Sequence, residues 1–75
     1  MERYKNLDKD SGISGFEIGT DFIIIEFRQG GTYLYNYEST GESNIEQMKT
    51  LALDGKGLAT FINRYARNRY AKRIR

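Results

Sequence analysis

The sequence lacks cysteine and histidine altogether. Without thiols there can be no disulfides, and without thiols and imidazoles the ordinary zinc sites of proteins cannot form. A chain of 75 residues belongs to the size range in which folds often depend on such cross-links. We therefore expect apolar packing, with or without self-association, to hold the fold together, and we predict no metal and no cofactor.

Long apolar runs are also missing. The longest uninterrupted one has four residues, at positions 22–25, whereas a membrane-spanning helix needs about 20. Residues 1–10 contain no apolar signal-peptide core. Only Tyr4 and Leu7 could anchor these residues, so we expect them to be loosely held. These features predict a cytoplasmic protein without a membrane partner.

Acidic residues are absent from the last twelve positions of the sequence. Residues 64–75, the basic segment, carry six Lys and Arg side chains, whereas residues 1–63 carry six Lys and Arg against ten Asp and Glu. The two parts therefore have net charges of +6 and −4, which combine to the overall +2. Such an asymmetry indicates an interaction segment more than a feature of the fold. The six cations are Arg64, Arg67, Arg69, Lys72, Arg73 and Arg75.

Three short runs in the first half have the composition of β-strands. Residues 13–18 mix apolar and polar side chains, residues 22–27 are rich in β-branched and aromatic residues, and residues 32–38 place tyrosine at alternate positions. Turns containing glycine separate these runs, at residues 19–21 and 29–31. We predict a meander of three antiparallel strands.

Two helical patterns follow the strands. Ser43 and Glu46 have the spacing of a capping box, which predicts a helix that starts near Ser43. Gly55 has the position typical of a left-handed C-terminal cap, and a second apolar stripe begins after Gly57. The predicted fold class is α+β, with one domain over residues 1–75 and two helices packed on one face of the meander (β-β-β-α-α). The second stripe consists of Leu58, Phe61, Ile62, Tyr65 and Ala66.

The second stripe does not continue into the rest of the basic segment. On an ideal helix Arg69 and Arg73 fall near the azimuths of buried residues, where a packed face would not tolerate charge. We therefore predict that packing ends before residues 67–75, which form a basic helical extension whose removal leaves the fold intact. A five-residue step turns a helix by about 140°, which places Tyr65 in the predicted core and Tyr70 outside it.

The basic segment has two interpretations. Cations at a helix C-terminus interact favourably with the helix dipole, which accounts for two or three of them. Six such cations, many of them three or four positions apart, cost about 0.2–0.5 kcal/mol per like-charge pair, so we expect a countercharge from the acidic body of the chain, an acidic protein partner or nucleic-acid phosphate. Guanidinium groups match phosphate and Tyr70 can stack on an unpaired base, which favours nucleic acid. Anionic lipid is disfavoured, because Tyr70 and Ile74 offer too little apolar surface for insertion.

The centre of the chain resembles a known family. A Phe-x-x-Gly turn is followed by Tyr-x-Tyr, and further similarity lies in the helical region. The matched positions are Phe27, Gly30, Tyr33 and Tyr35, with Leu51, Ala52 and residues 55–62. In these features the chain is similar to the KTSC family, a short domain that occurs alone in bacterial proteins and at the C-terminus of some lysyl-tRNA synthetases. The family's Val-Pro pair after the tyrosine strand has no counterpart here. Where the family has an aromatic residue after its first glycine, this chain has Thr20, which follows Gly19. The resemblance implies a small sheet with helices and an RNA-binding role.

The register of the tyrosine strand decides whether Tyr33 and Tyr35 face the core. A two-residue glycine loop would put them on the face of Arg28 and Glu26, as a polar aromatic surface suited to stacking. A three-residue loop with a left-handed glycine would turn them towards the helices, and we favour it because it leaves only two apolar residues on the outer face. Its predicted pairs set Tyr33, Tyr35 and Tyr37 opposite Phe27, Ile25 and Ile23.

The sequence contains no catalytic pattern. Without histidine or cysteine, and with no two acids predicted to share a pocket, we expect neither an enzyme nor a small-molecule substrate. We predict a nucleic-acid-binding accessory domain that binds RNA more readily than DNA. The alternative is a protein–protein interaction module that binds an acidic partner or self-associates. The predicted phosphate contacts are the six cations of the basic segment, with Tyr70 stacking on a base. A second candidate surface comprises Arg28, Tyr33 and Tyr35.

Overall fold

A single antiparallel sheet organises the part of the chain that the computed structural model describes, residues 1–7 and 12–75. Its five strands lie in chain order, β1-β2-β3-β4-β5. Four strands precede the helices and the fifth follows them, so the predicted α+β class is confirmed and the β-β-β-α-α order is wrong. The elements are β1 (Glu2–Arg3), β2 (Ile13–Ile18), β3 (Phe22–Phe27), β4 (Gly31–Asn36), α1 (Tyr37–Thr40), α2 (Glu42–Asp54), α3 (Leu58–Phe61), a π-helical segment (Ile62–Ala66) and β5 (Lys72–Arg73).

The hairpin between β3 and β4 has a three-residue loop. Phe27 pairs with Gly31, so residues 28–30 form the loop. Gly31 has a φ of +91°, in the left-handed region that glycine enters without steric cost. Tyr33 lies opposite Ile25, whereas the favoured register set it opposite Phe27. The tyrosines therefore lie on the same face as Ile23 and Ile25, as predicted. Their partners in β3 differ by two positions from the predicted ones.

One face of the sheet carries the hydrophobic core. Ile23 and Ile25 are fully buried, and Tyr35, which pairs with Ile23, is buried as well. The helices cover this face, while Ile24 and Leu34 lie opposite each other on the outer face and remain partly exposed. The apolar face of β3 and β4 is thus fixed against the helices. The helical residues buried in this core are Ile45, Met48, Ala52, Leu58, Ile62 and Ala66.

A capping box forms earlier in the chain than predicted. Asn36 Oδ1 accepts a hydrogen bond from the Ser39 backbone amide at 2.8 Å, and Ser39 Oγ accepts one from the Asn36 amide at 3.2 Å. Asn is as good an N-cap as Ser, so the chain leaves β4 here and opens α1. α2 follows Gly41 without a side-chain cap, and the box predicted at Ser43 is wrong. Gly55 ends α2 in the left-handed conformation, with a φ of 80°, as predicted.

The N-terminal residues add an edge strand. Glu2 pairs with Phe16 in β2, and Tyr4 is only 2% exposed. The Tyr4 amide donates to the Ser14 carbonyl at 3.1 Å, and the Leu7 amide donates to the Gly55 carbonyl at 2.7 Å. These contacts depart from the expectation of a loosely held segment; positions 8–10 of that prediction lie outside the described residues.

The end of the basic segment forms the other edge strand. β5 pairs with β4, with Lys72 opposite Leu34 and Arg73 opposite Tyr33. The predicted helical extension over residues 67–75 is therefore wrong. Its charged stripe could not pack, as the helical wheel indicated, and the open edge of β4 offers unpaired backbone groups that an extended segment satisfies.

Candidate functional site

A π-helical turn carries the chain into the candidate site. The segment Ile62–Ala66 follows α3 directly, and i→i+5 hydrogen bonding makes such a turn wider than an α-helical one. Ile62 and Ala66 stay buried, while Tyr65 is 52% exposed. The prediction that Tyr65 belongs to the core is therefore wrong: its ring lies beside that of Phe61, at 4.9 Å between centroids, with about half of its surface open to solvent.

A tight reversal then turns the chain back towards the sheet. The Arg69 amide donates to the Ala66 carbonyl at 3.0 Å. Thr40, which is only 3% exposed, donates its hydroxyl to the Arg69 carbonyl at 2.8 Å. Two hydrogen bonds thus hold residue 69 on both sides, and the next residue is Tyr70.

Tyr70 packs on the tyrosines of β4. Its ring centroid lies 4.6 Å from that of Tyr33 and 6.3 Å from that of Tyr35, and Phe27 meets Tyr33 edge-on at 5.9 Å. Tyr70 lies outside the buried core, as predicted, and is 40% exposed. The reversal at residue 69 nevertheless places its ring against the sheet, and not on the helix that the prediction assumed. Burial, with smaller effects of Tyr33 and Tyr70, raises the pKa of Tyr35 to about 12. Tyr35 therefore remains a neutral structural residue at physiological pH.

A cleft opens between these aromatic rings and the helical turn. Its volume is about 490 Å³, and we call it the aromatic cleft. Tyr70 is 40% exposed and Tyr33 is partly exposed, so aromatic surface faces the solvent there. The wall formed by the sheet and its hairpin consists of Phe27, Gly30, Tyr33 and Tyr35, and the opposite wall of Ile62, Asn63, Arg67 and Asn68, with Tyr70 between them.

A second cleft adjoins the aromatic cleft. Its volume is about 330 Å³, and the side chains of Arg64, Arg67 and Arg69 all line it. We call it the arginine cleft. Arg67 and Asn68 line both clefts, so the two form one continuous surface lined by aromatic residues and three arginines.

Few carboxylates neutralise the basic segment. Within residues 1–7 and 12–75 the ion pairs are Arg75 with Glu26, at 3.3 Å, and Lys49 with Glu46, at 2.8 Å. The Arg73 guanidinium lies 5.6 Å from the centroid of the Tyr33 ring, a cation–π distance. Of the three sources of countercharge considered from the sequence, the described body of the chain contributes one carboxylate. From residues 1–7 and 12–75 the arginine cleft receives no carboxylate partner.

The structure divides the residues predicted from the sequence. Tyr33, Tyr35 and Tyr70 come together in the aromatic cleft, whereas Arg28 lines a separate cleft of about 270 Å³ with Arg3 and other residues. The second candidate surface is therefore split, and its tyrosines join the basic segment instead. Lys72, Arg73 and Arg75 lie on the exposed edge of the sheet, outside both clefts.

Sequence reasoning missed two residues of the site. Asn63 and Asn68 line the aromatic cleft, yet a step of five residues separates them by about 140° on an α-helix. The i→i+5 turn that precedes Asn68 removes this separation. No periodicity in the sequence indicates that turn.

Comparisons with known proteins give no relative for this arrangement: no family model, no curated protein and no solved structure matches the chain. No helix in the described residues has both the length and the apolar character to cross a membrane. Among those same residues no cluster of acidic side chains could hold a metal ion. The chemistry on offer in the two clefts is aromatic stacking, amide hydrogen bonding and cationic binding of anions.

Proposed function

We propose that this protein binds single-stranded nucleic acid, RNA in preference to DNA, in the joined aromatic and arginine clefts, and that it has no catalytic role. One observation carries the proposal. The reversal at Arg69 brings the half-exposed ring of Tyr70 onto Tyr33, next to three arginines that have no carboxylate partner among the described residues. A ligand that combines flat rings with regularly spaced negative charges suits both clefts at once.

Stacking explains why the ligand would be single-stranded. Bases in a duplex are stacked and paired, whereas bases in a loop or single strand can turn out onto aromatic side chains. Each base that stacks on an aromatic ring contributes about 1–3 kcal/mol to binding. The partly exposed rings of Tyr33 and Tyr70 offer such a platform.

The arginine cleft supplies the attraction to phosphate. Guanidinium groups match phosphate oxygens in bidentate geometry, and Arg64, Arg67 and Arg69 line one cleft. Lys and Arg on an edge strand such as β5 also deter edge-to-edge aggregation. The cations of β5 therefore have a sufficient structural explanation, and the proposal rests on the arginine cleft.

The choice of RNA rests on the resemblance to the KTSC family, for which an RNA-binding role is implied. That resemblance covers the tyrosine strand and the turn before it, and all four matched positions there, Phe27, Gly30, Tyr33 and Tyr35, line the aromatic cleft. The same arginines would also suit an acidic protein partner, which remains the alternative. An acidic protein partner would supply carboxylates for the arginine cleft, but it would not supply the regularly spaced flat rings that a nucleic acid offers to the aromatic cleft.

A salt-dependent titration tests the proposal. Fluorescence anisotropy of short labelled RNA and DNA single strands would be measured with the protein over a range of salt concentrations. If the three arginines of the arginine cleft contact phosphate, log affinity should fall against log salt with a slope near −2, and RNA should bind more tightly than DNA. Polyglutamate, which carries charge without bases, should compete poorly. A flat salt response, or competition by polyglutamate as strong as by unlabelled RNA, would count against nucleic acid as the ligand.

A further inference from the structure

Two side-chain amides, those of Asn63 and Asn68, belong to the lining of the aromatic cleft. Both residues are exposed. Neither side chain forms a hydrogen bond within the part of the chain that the structure describes. A carboxamide has one acceptor oxygen and two N–H donors, so donors and acceptors are available beside the rings of Tyr33 and Tyr70.

The backbone fixes where these amides lie. Asn63 belongs to the π-helical segment, and Asn68 follows directly after Arg67, the C-terminal cap of that segment. The hydrogen bond from the Arg69 amide to the Ala66 carbonyl closes the turn that contains Asn68. A regular α-helix would have pointed the two side chains about 140° apart. The wide turn is therefore what brings both amides to one cleft.

The pairing chemistry of an amide selects among the bases. Asn pairs bidentately with the N6 donor and N7 acceptor of adenine, whereas the corresponding edge of guanine presents two acceptors, which suit Arg or Lys. A purine also offers a larger ring face than a pyrimidine to the aromatic platform. We propose that the aromatic cleft holds one adenine base of the bound strand, stacked on the Tyr33 and Tyr70 platform and read by Asn63 and Asn68. This inference rests on the proposed function.

The two clefts then receive neighbouring parts of one nucleotide strand. Arg67 lines both of them, so a strand whose adenine fills the aromatic cleft places its adjoining phosphates at Arg64 and Arg69. Base recognition and phosphate binding thereby fall on different side chains. The two contributions can be separated by mutation.

The test varies one base in an otherwise uniform strand. Short uridine oligonucleotides that carry a single central A, G, C or U would be titrated against the full chain. The adenine strand should bind about tenfold more tightly than the uridine strand, within the discrimination that one good bidentate amide–base pair provides. In the double variant Asn63→Ala/Asn68→Ala the adenine and guanine strands should bind within about twofold of each other, with an unchanged salt slope, because no cation is removed.

A matched control removes an amide elsewhere. Gln47 is exposed on α2 and lines neither cleft, so Gln47→Ala should keep the full preference for adenine. Equal binding of all four strands with a steep salt slope would overturn the adenine inference and leave the proposed function standing. The same holds for a preference for G or C, or for an adenine preference that survives in the double variant. No binding of any strand would overturn both.

Discussion

The pairing of β5 with β4 predicts that the end of the basic segment stabilises the fold. The Ala71 amide donates to the Leu34 carbonyl and the Ile74 amide to the Thr32 carbonyl, each at 2.7 Å. Thr32, which is only 3% exposed, donates its own amide to the Arg75 carbonyl at 3.0 Å. The double variant Ala71→Pro/Ile74→Pro removes the first two donors, and the third hydrogen bond cannot outlast the loss of the pairing.

The expected loss follows from these three hydrogen bonds. Each contributes about 0.5–1.5 kcal/mol net, so the free energy of unfolding should fall by about 2–4 kcal/mol. That is a large fraction of the roughly 5–15 kcal/mol that small domains possess. Urea unfolding followed by far-ultraviolet circular dichroism measures it as a lower midpoint with little change in the slope m.

The matched control for this experiment keeps both amides. Ala71→Ser/Ile74→Ala changes the same two side chains, which are exposed, and should stay within about 0.5 kcal/mol of the wild type. If the proline variant also unfolds at the wild-type midpoint, β5 does not pair with β4 in solution. The prediction from the sequence that residues 67–75 can be removed without harm would then hold after all.

Three further predictions concern single positions or pairs. Gly31→Ala should destabilise the fold by at least about 1–2 kcal/mol in urea unfolding, because φ is +91° and a Cβ would meet the Arg75 carbonyl oxygen. The control Gly30→Ala should be tolerated, because its Cβ would come no closer than 3.4 Å to another residue. Equal losses of stability in the two variants would contradict the hairpin geometry. Because the pKa of Tyr35 is raised from 10.0 to about 12 in the folded protein, the unfolded chain loses this proton at lower pH. The free energy of unfolding should therefore fall as the pH rises from 10 to 12, and it should fall less in Tyr35→Phe. Identical pH profiles for the two proteins would refute the raised pKa of Tyr35. The charge-removing variant Arg64→Gln/Arg67→Gln should bind RNA more weakly and reduce the magnitude of the salt slope by about 1.4, or 0.7 for each phosphate contact; an unchanged slope would exclude the arginine cleft as the phosphate site.

Local sequence patterns were sufficient to predict those parts of the fold that depend only on residues close together in the chain. Alternation predicted β2 and β3 closely, and the isoleucine-rich run at 22–27 predicted the strand at the centre of the sheet. Gly55 marked the end of α2 because a left-handed cap needs a residue without a Cβ. The face of Tyr33 was also predictable, because registers that differ by two positions place the same side chains on the same face of the sheet, although the exact pairing was not. These features follow from periodicity and turn chemistry alone.

The rest of the fold was harder to predict, because the sequence contains competing local signals of equal strength. Ser43 and Asn36 both have the composition of a helix N-cap, and the sequence does not rank them. The structure uses Asn36 because the chain leaves β4 there in an extended conformation, with a φ of −137°. The pairing of β1 and β5 depends on edges that exist only once the central strands have assembled. Strands of two residues carry no periodicity of their own.

The residue types of the candidate site were predictable from the sequence, but the way in which the fold brings them together was not. The cations of the arginine cleft and the aromatic residues Tyr33 and Tyr70 were recognisable by their chemistry, but their meeting requires the π-helical turn and the hydrogen bond from Thr40 to Arg69. Tyr70 consequently serves both packing and the proposed site. Truncation of the basic segment cannot separate binding from folding, and variants at the exposed residues Asn63 and Arg64 are the cleaner tools.

A single strand that lies across the two clefts should leave a footprint on the residues that line them. Backbone and side-chain amide signals would be followed by two-dimensional NMR while a short adenine-containing RNA is added. The largest shifts should fall at Tyr33, Asn68 and Tyr70, with little change at Ile24 and Leu34 on the outer face of the sheet. Binding whose shifts concentrate on that outer face and leave the clefts unchanged would contradict this placement of the strand.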